Sequence, residues 1–371
     1  MNGHTKLAIV AGCVVLLLGL AFLAVSQLAL LADNDATSAD RARIVPLGVL
    51  GDSDSHAYQD RIRFGKRPDA RGGAFRSITF QWTEILHLLR PQDLDPGRWG
   101  SWGTRRFVAV AQRAIGLPGR TPKKEDFQYN FAISGSVCAD LLHGPEAQLP
   151  QLLQLMGQNS DRWQDGVIVV RMGMNDFGHE NSLNGLAGAR ANESVLATID
   201  SCVQTIRETV SRIRNEFPRV RIVLVGIFDN SNWVRLHDRW VATQDLQNIR
   251  SGLDRFDLAL QSIVAGDTNL AFFNDRAWFS SHWGDRDESG NPDYGVVRLD
   301  GGFETRNSEG DDPGNATLAD GHAGLVWNAL WAQALVDLLN VRFQSGMPPI
   351  TDFEISQFIE RTVAAGPGTR E

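Results

Sequence analysis

The stretch IVPLGVLGDSDSH, residues 44–56, joins an unbroken aliphatic run to a short polar turn. Residues 44–50 show no polar alternation, the pattern of a strand buried on both faces of a parallel sheet. Gly51-Asp52-Ser53 then falls at the carboxyl end of that strand, where open α/β sheets hold their ligands. Ser53 is therefore a candidate nucleophile, although a Gly-Asp-Ser turn on its own is also an ordinary way to leave a strand.

Working outward, the same kind of run recurs at residues 167–172, 221–228 and 269–273. Amphipathic stretches lie between. In residues 193–217, Val195, Ile199, Val203, Ile206, Val210 and Ile213 return every three or four positions, which predicts a helix with one apolar stripe, N-capped by Asn192 and stopped by Pro218. Residues 325–339 predict another. Alternating strand and helix argue for a three-layer α/β/α sandwich over residues 44–345, followed by a C-terminal helix and tail at 346–371. Two stretches break the alternation. Residues 61–127, rich in Arg, Gly, Pro and Trp with a helical stretch near 78–89, read as an insertion; residues 280–317 read as a long polar loop.

The ends and the charge narrow the setting. Residues 7–32 are apolar except for Ser26 and Gln27, long enough to span a bilayer, and residues 33–43 form a polar linker. The expectation is a retained membrane anchor with the domain outside the cytoplasm; a signal peptide cleaved near Ala24-Val25-Ser26 is the alternative. A net charge of −8 without a basic, aromatic-rich stripe argues against nucleic acid as a partner. Cys13 belongs to the apolar run. Cys138 and Cys202 are read as two buried free thiols, with a disulfide permitted by an oxidising compartment.

Three further pieces follow Ser53 in an order that acyl-transfer chemistry needs. Asn130-Phe131-Ala132-Ile133-Ser134-Gly135 is expected to end with Gly135 opening a helix, whose start aims a backbone N–H at a developing oxyanion. Gly173-Met174-Asn175-Asp176 closes the run at 167–172 and brings the Asn175 amide to the same sheet edge as Ser53. Asp320-Gly321-His322 places an acid and a histidine just before the last helix of the sandwich. Each piece has a plainer reading: a turn for Asn175-Asp176, a backbone-bonded helix start for His322. Together they supply a nucleophile, oxyanion donors, a base and an acid.

With GDSDS, NFAISGS, GMND and DGH in that order, from about residue 44 to about residue 339, the sequence resembles the SGNH hydrolase superfamily of GDSL-type esterases and lipases. The resemblance implies a flavodoxin-like sheet of about five parallel strands. It implies Ser53 as nucleophile, His322 and Asp320 completing the triad, and the N–H groups of Ser53 and Gly135 with the Asn175 amide as oxyanion hole. The expected activity is hydrolysis of a small-molecule or glycan ester through an acyl-enzyme, without cofactor or metal. An O-acyltransferase that replaces water with a polysaccharide hydroxyl, and a non-catalytic carbohydrate-binding protein, are the other readings of the same fold.

The chain departs from the family pattern twice. Asp54 stands where an aliphatic residue usually follows the serine, placing a carboxylate beside the nucleophile. The acid of the last block ordinarily lies three residues before the histidine, at Ala319; Asp320 lies two before, which leaves Asp311, Asp312 or a backbone carbonyl as other groups able to orient the ring.

Elsewhere the plain readings prevail. His56, His87, His143, His179, His237 and His282 show no ligand spacing and are read as structural. Residues 285–293 resemble a calcium loop, but Val296 occupies the position of the closing glutamate, which favours a solvated acidic loop. Trp99, Trp102, Trp278 and Trp283 offer flat faces for a sugar or acyl chain, against their commoner use in packing.

Overall fold

The continuous apolar runs become one sheet. In a computed structural model, which describes residues 44–65, 71–188 and 192–366, strands β1 (Val45–Gly51), β2 (Leu94–Asp95), β5 (Val167–Arg171), β6 (Arg221–Val225) and β7 (Leu270–Phe273) stand in the order β2-β1-β5-β6-β7. Every pairing is parallel. The apolar run at 7–32 and the linker lie outside the described residues. Among those described, no helix is long and apolar enough to cross a membrane.

Register divides the side chains between two cores. Leu47 stands beside Val167, and Val169 stands between Val49 and Val223, so these residues share one face, while Ile168, Val170, Ile222 and Leu224 point the other way. Helices α3 (Gln148–Met156), α4 (Glu193–Glu216) and α5 (Thr243–Val264) cover the second face. The first is covered by α1 (Trp82–Leu89), α6 (Asp275–Trp283), α7 (Leu325–Phe343) and α8 (Asp352–Ala364). The result is the three-layer sandwich read from the sequence, with α4 and α7 close to their expected bounds. The Asn192 side chain caps α4 by accepting from Ser194 N at 2.9 Å.

Both irregular stretches contain more order than their composition suggested. Within 61–127, β2 joins the main sheet, and α1 is a core helix whose Trp82 ring lies 4.8 Å from that of Trp331 on α7. A capping box starts α1: Thr83 N donates to Gln81 Oε1 and Gln81 N to Glu84 Oε2, both at 2.8 Å. The stretch also holds a hairpin of β3 (Trp99–Trp102) and β4 (Lys124–Phe127), which carries the surface helix α2 (Arg106–Ala114) between its strands. Residues 280–317 are not a loop. Strands β8 (Gly284–Arg286) and β9 (Pro292–Tyr294) form a hairpin, and β10 (Val296–Arg298), β11 (Glu304–Glu309) and β12 (Asn315–Thr317) form a small sheet.

The cysteine expectation is overturned. Cys138 and Cys202 are joined in a disulfide, with their Cα atoms 5.1 Å apart. Both sit in the second core, where α4 passes the segment that follows Gly135.

Candidate active site

The nucleophile turn is held from several sides. Gln148 pairs with the Gly51 peptide in both directions, Gly51 N to Oε1 and Nε2 to Gly51 O, each at 2.8 Å. A side chain at Gly51 would meet Arg171 O at 2.9 Å, which explains the glycine. Two residues after Ser53's neighbour Asp52, the Asp54 carbonyl accepts from Gln81 Nε2, from Trp82 Nε1 at 3.1 Å and from Arg171 Nη1 at 3.1 Å. Arg171, a charge at the end of a buried strand, is itself paired with buried Asp275 at 2.8 Å. Ser53 is 8% exposed at the top of β1.

The second and third blocks are laced together beside it. Residues 130–133 run alongside β1, with Phe131 N donating to Val49 O at 2.8 Å and Ile133 N to Gly51 O at 3.0 Å. Asn175 Nδ2 donates to Ser136 O at 2.8 Å, and Cys138 N donates to the Asp176 carboxylate at 2.9 Å. Burial pushes Asp176 up to about 6. Gly135 does not open a helix. It occupies an exposed turn with φ of 86°, in the left-handed region that favours glycine, and the short 3₁₀ helix Cys138–Leu141 begins three residues later.

The last block closes the set. His322 Nδ1 lies 3.0 Å from Asp320 Oδ1, which also accepts from His322 N at 3.2 Å. Two-residue spacing works because Gly321 takes φ of 86°, and a tight turn closes through Gly321 N to Leu318 O at 2.8 Å. A side chain at Gly321 would run into the Trp233 ring. The rival acids are engaged elsewhere: Asp311 Oδ1 accepts from Ala319 N at 3.1 Å and Asp312 Oδ1 from Gly314 N at 2.9 Å.

Sequence reasoning missed Arg71. Its guanidinium is buried, makes an ion pair with Asp320, and comes within 2.7 Å of His322 Nδ1. It also lies over the Phe64 ring at 4.6 Å. Arg71 donates to Asp320 Oδ2, and the two partners compete for His322 Nδ1: Asp320 Oδ1 accepts its N–H in one tautomer, and the donor-only guanidinium serves the bare nitrogen in the other. Burial alone would raise the Asp320 pKa. The His322 hydrogen bond and the charges of His322 and Arg71 outweigh it, holding this carboxyl well below the usual range.

Ser53, Asn175, Asp320 and His322 line one cleft of about 190 Å³, together with Asp54, Asn230 and the aromatic faces of Phe228, Trp233 and Trp327. Gly135 is not among its lining residues, and among the described residues no hydrogen bond joins Ser53 to His322. The four tryptophans proposed from sequence are elsewhere: Trp278 and Trp283 are in the core, and Trp99 and Trp102 are on the β3–β4 hairpin. The calcium-like stretch is a turn whose Asp287 Oδ1 accepts from Ser289 N at 2.9 Å and Asn291 N at 2.8 Å. Among the described residues, the one group with metal-ligand proximity is Cys138, Cys202 and Asp176, and its two sulfurs are bonded to each other.

A second serine, histidine and aspartate lie close by. His56 Nε2 is 2.9 Å from Asp60 Oδ2, and its Nδ1 is 3.2 Å from both Ser134 N and Ser134 Oγ. Both ring and carboxylate are fully buried. Burial, reinforced by the nearby Lys124 charge, lowers the His56 pKa to about 4.

A family model for GDSL-like lipases and acylhydrolases matches residues 47–261, which takes in the first three blocks and ends before Asp320 and His322. No curated protein matches the chain. Among solved structures, similarity is found to phospholipase A1 from Streptomyces albidoflavus, at 14% identity, over 81% of this chain and 99% of that one, with a TM-score of 0.38. An extracellular lipase from Streptomyces rimosus is 16% identical over 64% of this chain and 83% of its own, with a TM-score of 0.30. A variant of a Geobacillus acetyl-xylooligosaccharide esterase is 14% identical over 64% and 81%, with a TM-score of 0.31.

Proposed function

Because the chain belongs to the GDSL-like lipase/acylhydrolase family, we propose that it is a serine ester hydrolase working through Ser53, His322 and Asp320. The observation that carries this reading is the Asp320–His322 pair, set in the same cleft as Ser53 and Asn175. With the imidazole N–H held on Asp320, His322 Nε2 is free to accept the Ser53 proton as Oγ attacks the ester carbonyl. One N–H of Asn175 is committed to Ser136 O. Its second meets the oxyanion, alongside the N–H of Ser53. His322 then returns its proton to the departing alcohol, and water releases the acyl group by the same route in reverse. Asp54, half-buried at the cleft wall, disfavours acyl groups that carry a negative charge.

Ser53→Ala tests this. Hydrolysis of a short-chain ester should fall by at least about 10³-fold with an unchanged circular dichroism spectrum. Near-native turnover would remove Ser53 from the mechanism.

The same proposal places the domain outside the cytoplasm, tethered by residues 7–32. The Cys138–Cys202 disulfide supports this, since such bonds persist in oxidising compartments. External protease should digest the domain in intact cells or spheroplasts; protection until lysis would contradict the placement.

A further inference from the structure

Helix α2 turns its apolar stripe away from the protein. Ala109 is its buried residue, whereas Phe107, Val110, Ala111 and Ala114, at positions i, i+3, i+4 and i+7, are all exposed. Phe107 is 68% exposed, and beyond the helix Ile115 and Leu117 are 74% and 51% exposed. A surface helix normally directs such a stripe at the core, and a contiguous exposed apolar patch marks an interaction site.

Charge is the second observation. From Arg98 to Lys124 there are seven basic residues and no acidic one, with Trp99, Trp102 and Phe107 among them, so the chain does hold a local basic, aromatic stretch that its net charge of −8 conceals. Arg98, Arg105, Arg106 and Lys123 are exposed and make no ion pair among the described residues.

We propose that α2 and the turn after it dock on an anionic phospholipid bilayer, with the stripe in the acyl boundary and the flanking arginines at the headgroup phosphates. A second copy meeting this face by two-fold symmetry would set arginine against arginine. A neutral protein face would leave the cations unmatched. Residues 7–32 point to the same kind of partner by sequence alone, but the α2 surface is a separate contact and does not depend on the esterase reading.

The test uses the full chain with Cys13→Ser and Val110→Cys, carrying a polarity-sensitive dye at position 110; the disulfide leaves no other thiol. The protein is placed in phosphatidylcholine vesicles with or without phosphatidylglycerol, part of the lipid bearing nitroxide quenchers. With phosphatidylglycerol present, emission should shift to the blue and be quenched, whereas the same dye at exposed position 258 on α5, introduced as Leu258→Cys, should not respond. Adding Arg105→Gln and Arg106→Gln should abolish the quenching. The proposal is overturned by no lipid quenching at position 110 in either vesicle, or by equal quenching at 110 and 258. A blue shift without lipid quenching also overturns it, and assigns the face to a second copy. Should Val110→Cys not fold, Ile115→Cys carries the dye with the same outcomes.

Discussion

The His56–Asp60 and Asp320–His322 pairs both join a histidine to an aspartate at short sequence spacing, and their surroundings set them apart. His56 and Asp60 are fully buried, four residues apart on one turn, with a serine against the ring. Asp320 and His322 have side chains 23% and 22% exposed, line the cleft, and are flanked by the Arg71 guanidinium. The buried imidazole is neutral across the physiological range because charging it there is costly. The pair in the cleft keeps a charged carboxylate beside a ring that solvent and substrate can reach. On the proposed mechanism, a serine, a histidine and an aspartate in contact do not suffice for acyl transfer, and access and a stabilised charge separate the two constellations.

The largest effect that separates the pairs is expected at Asp320. Asp320→Asn should leave the fold intact and lower turnover by up to about 10⁴-fold, because the amide favours the wrong imidazole tautomer. Asp312→Asn, measured on the same ester, should change little; the reverse pattern would move the orienting role upstream. Asn175→Ala should lower kcat by about 10²- to 10³-fold with little change in KM, as expected for a donor that acts in the transition state. A pure KM effect would make Asn175 a substrate-binding residue instead.

Arg71→Gln removes a positive charge from the cleft pair, so protons become easier to hold there. The acid limb of the kcat/KM profile should move to higher pH, and an unmoved limb would assign Arg71 to packing alone. The smallest effect on catalysis is expected at the buried pair. His56→Leu should cost about 1–3 kcal/mol of unfolding stability, by leaving polar partners unsatisfied. Its pH dependence has a definite sign: with a folded pKa of about 4 against an ordinary 6.5, His56 takes up a proton on unfolding between those values. Stability from this group is present above that window and lost as pH falls through it. Urea titrations of wild type and His56→Leu should show that component vanish in the variant.

How much of this could be read in advance follows from burial. The strands β1, β5, β6 and β7 are covered on both faces, so their sequences are continuous apolar runs that stand out. Strand β2 is two residues long and leaves no pattern to count. The strands within 284–317 are largely half-buried or exposed and polar, so composition described them as a loop. At the site, Ser53, Asn175 and His322 were legible because each ends a strand or precedes a helix in a fixed order. The helix start expected at Gly135 is an exposed left-handed turn outside the cleft lining, because a glycine looks alike in sequence in either setting. Arg71 carried no signal, since it reaches Asp320 and His322 across some 250 positions of chain, 249 and 251 respectively. The His56–Asp60 pair does carry one, in its four-residue spacing. The disulfide was invisible because chain spacing says nothing about the distance between Cys138 and Cys202.

The central claim is that the cleft constellation, and not the buried one, forms the acyl-enzyme. Treating the full-length protein with a fluorophosphonate and mapping the adduct by peptide mass spectrometry tests it directly, because Ser53 shares its cleft with His322 and Ser134 contacts His56. One adduct on Ser53, lost in Asp320→Asn or His322→Ala and retained in His56→Leu, is the predicted result. An adduct on Ser134, or none on a folded protein, would contradict the account.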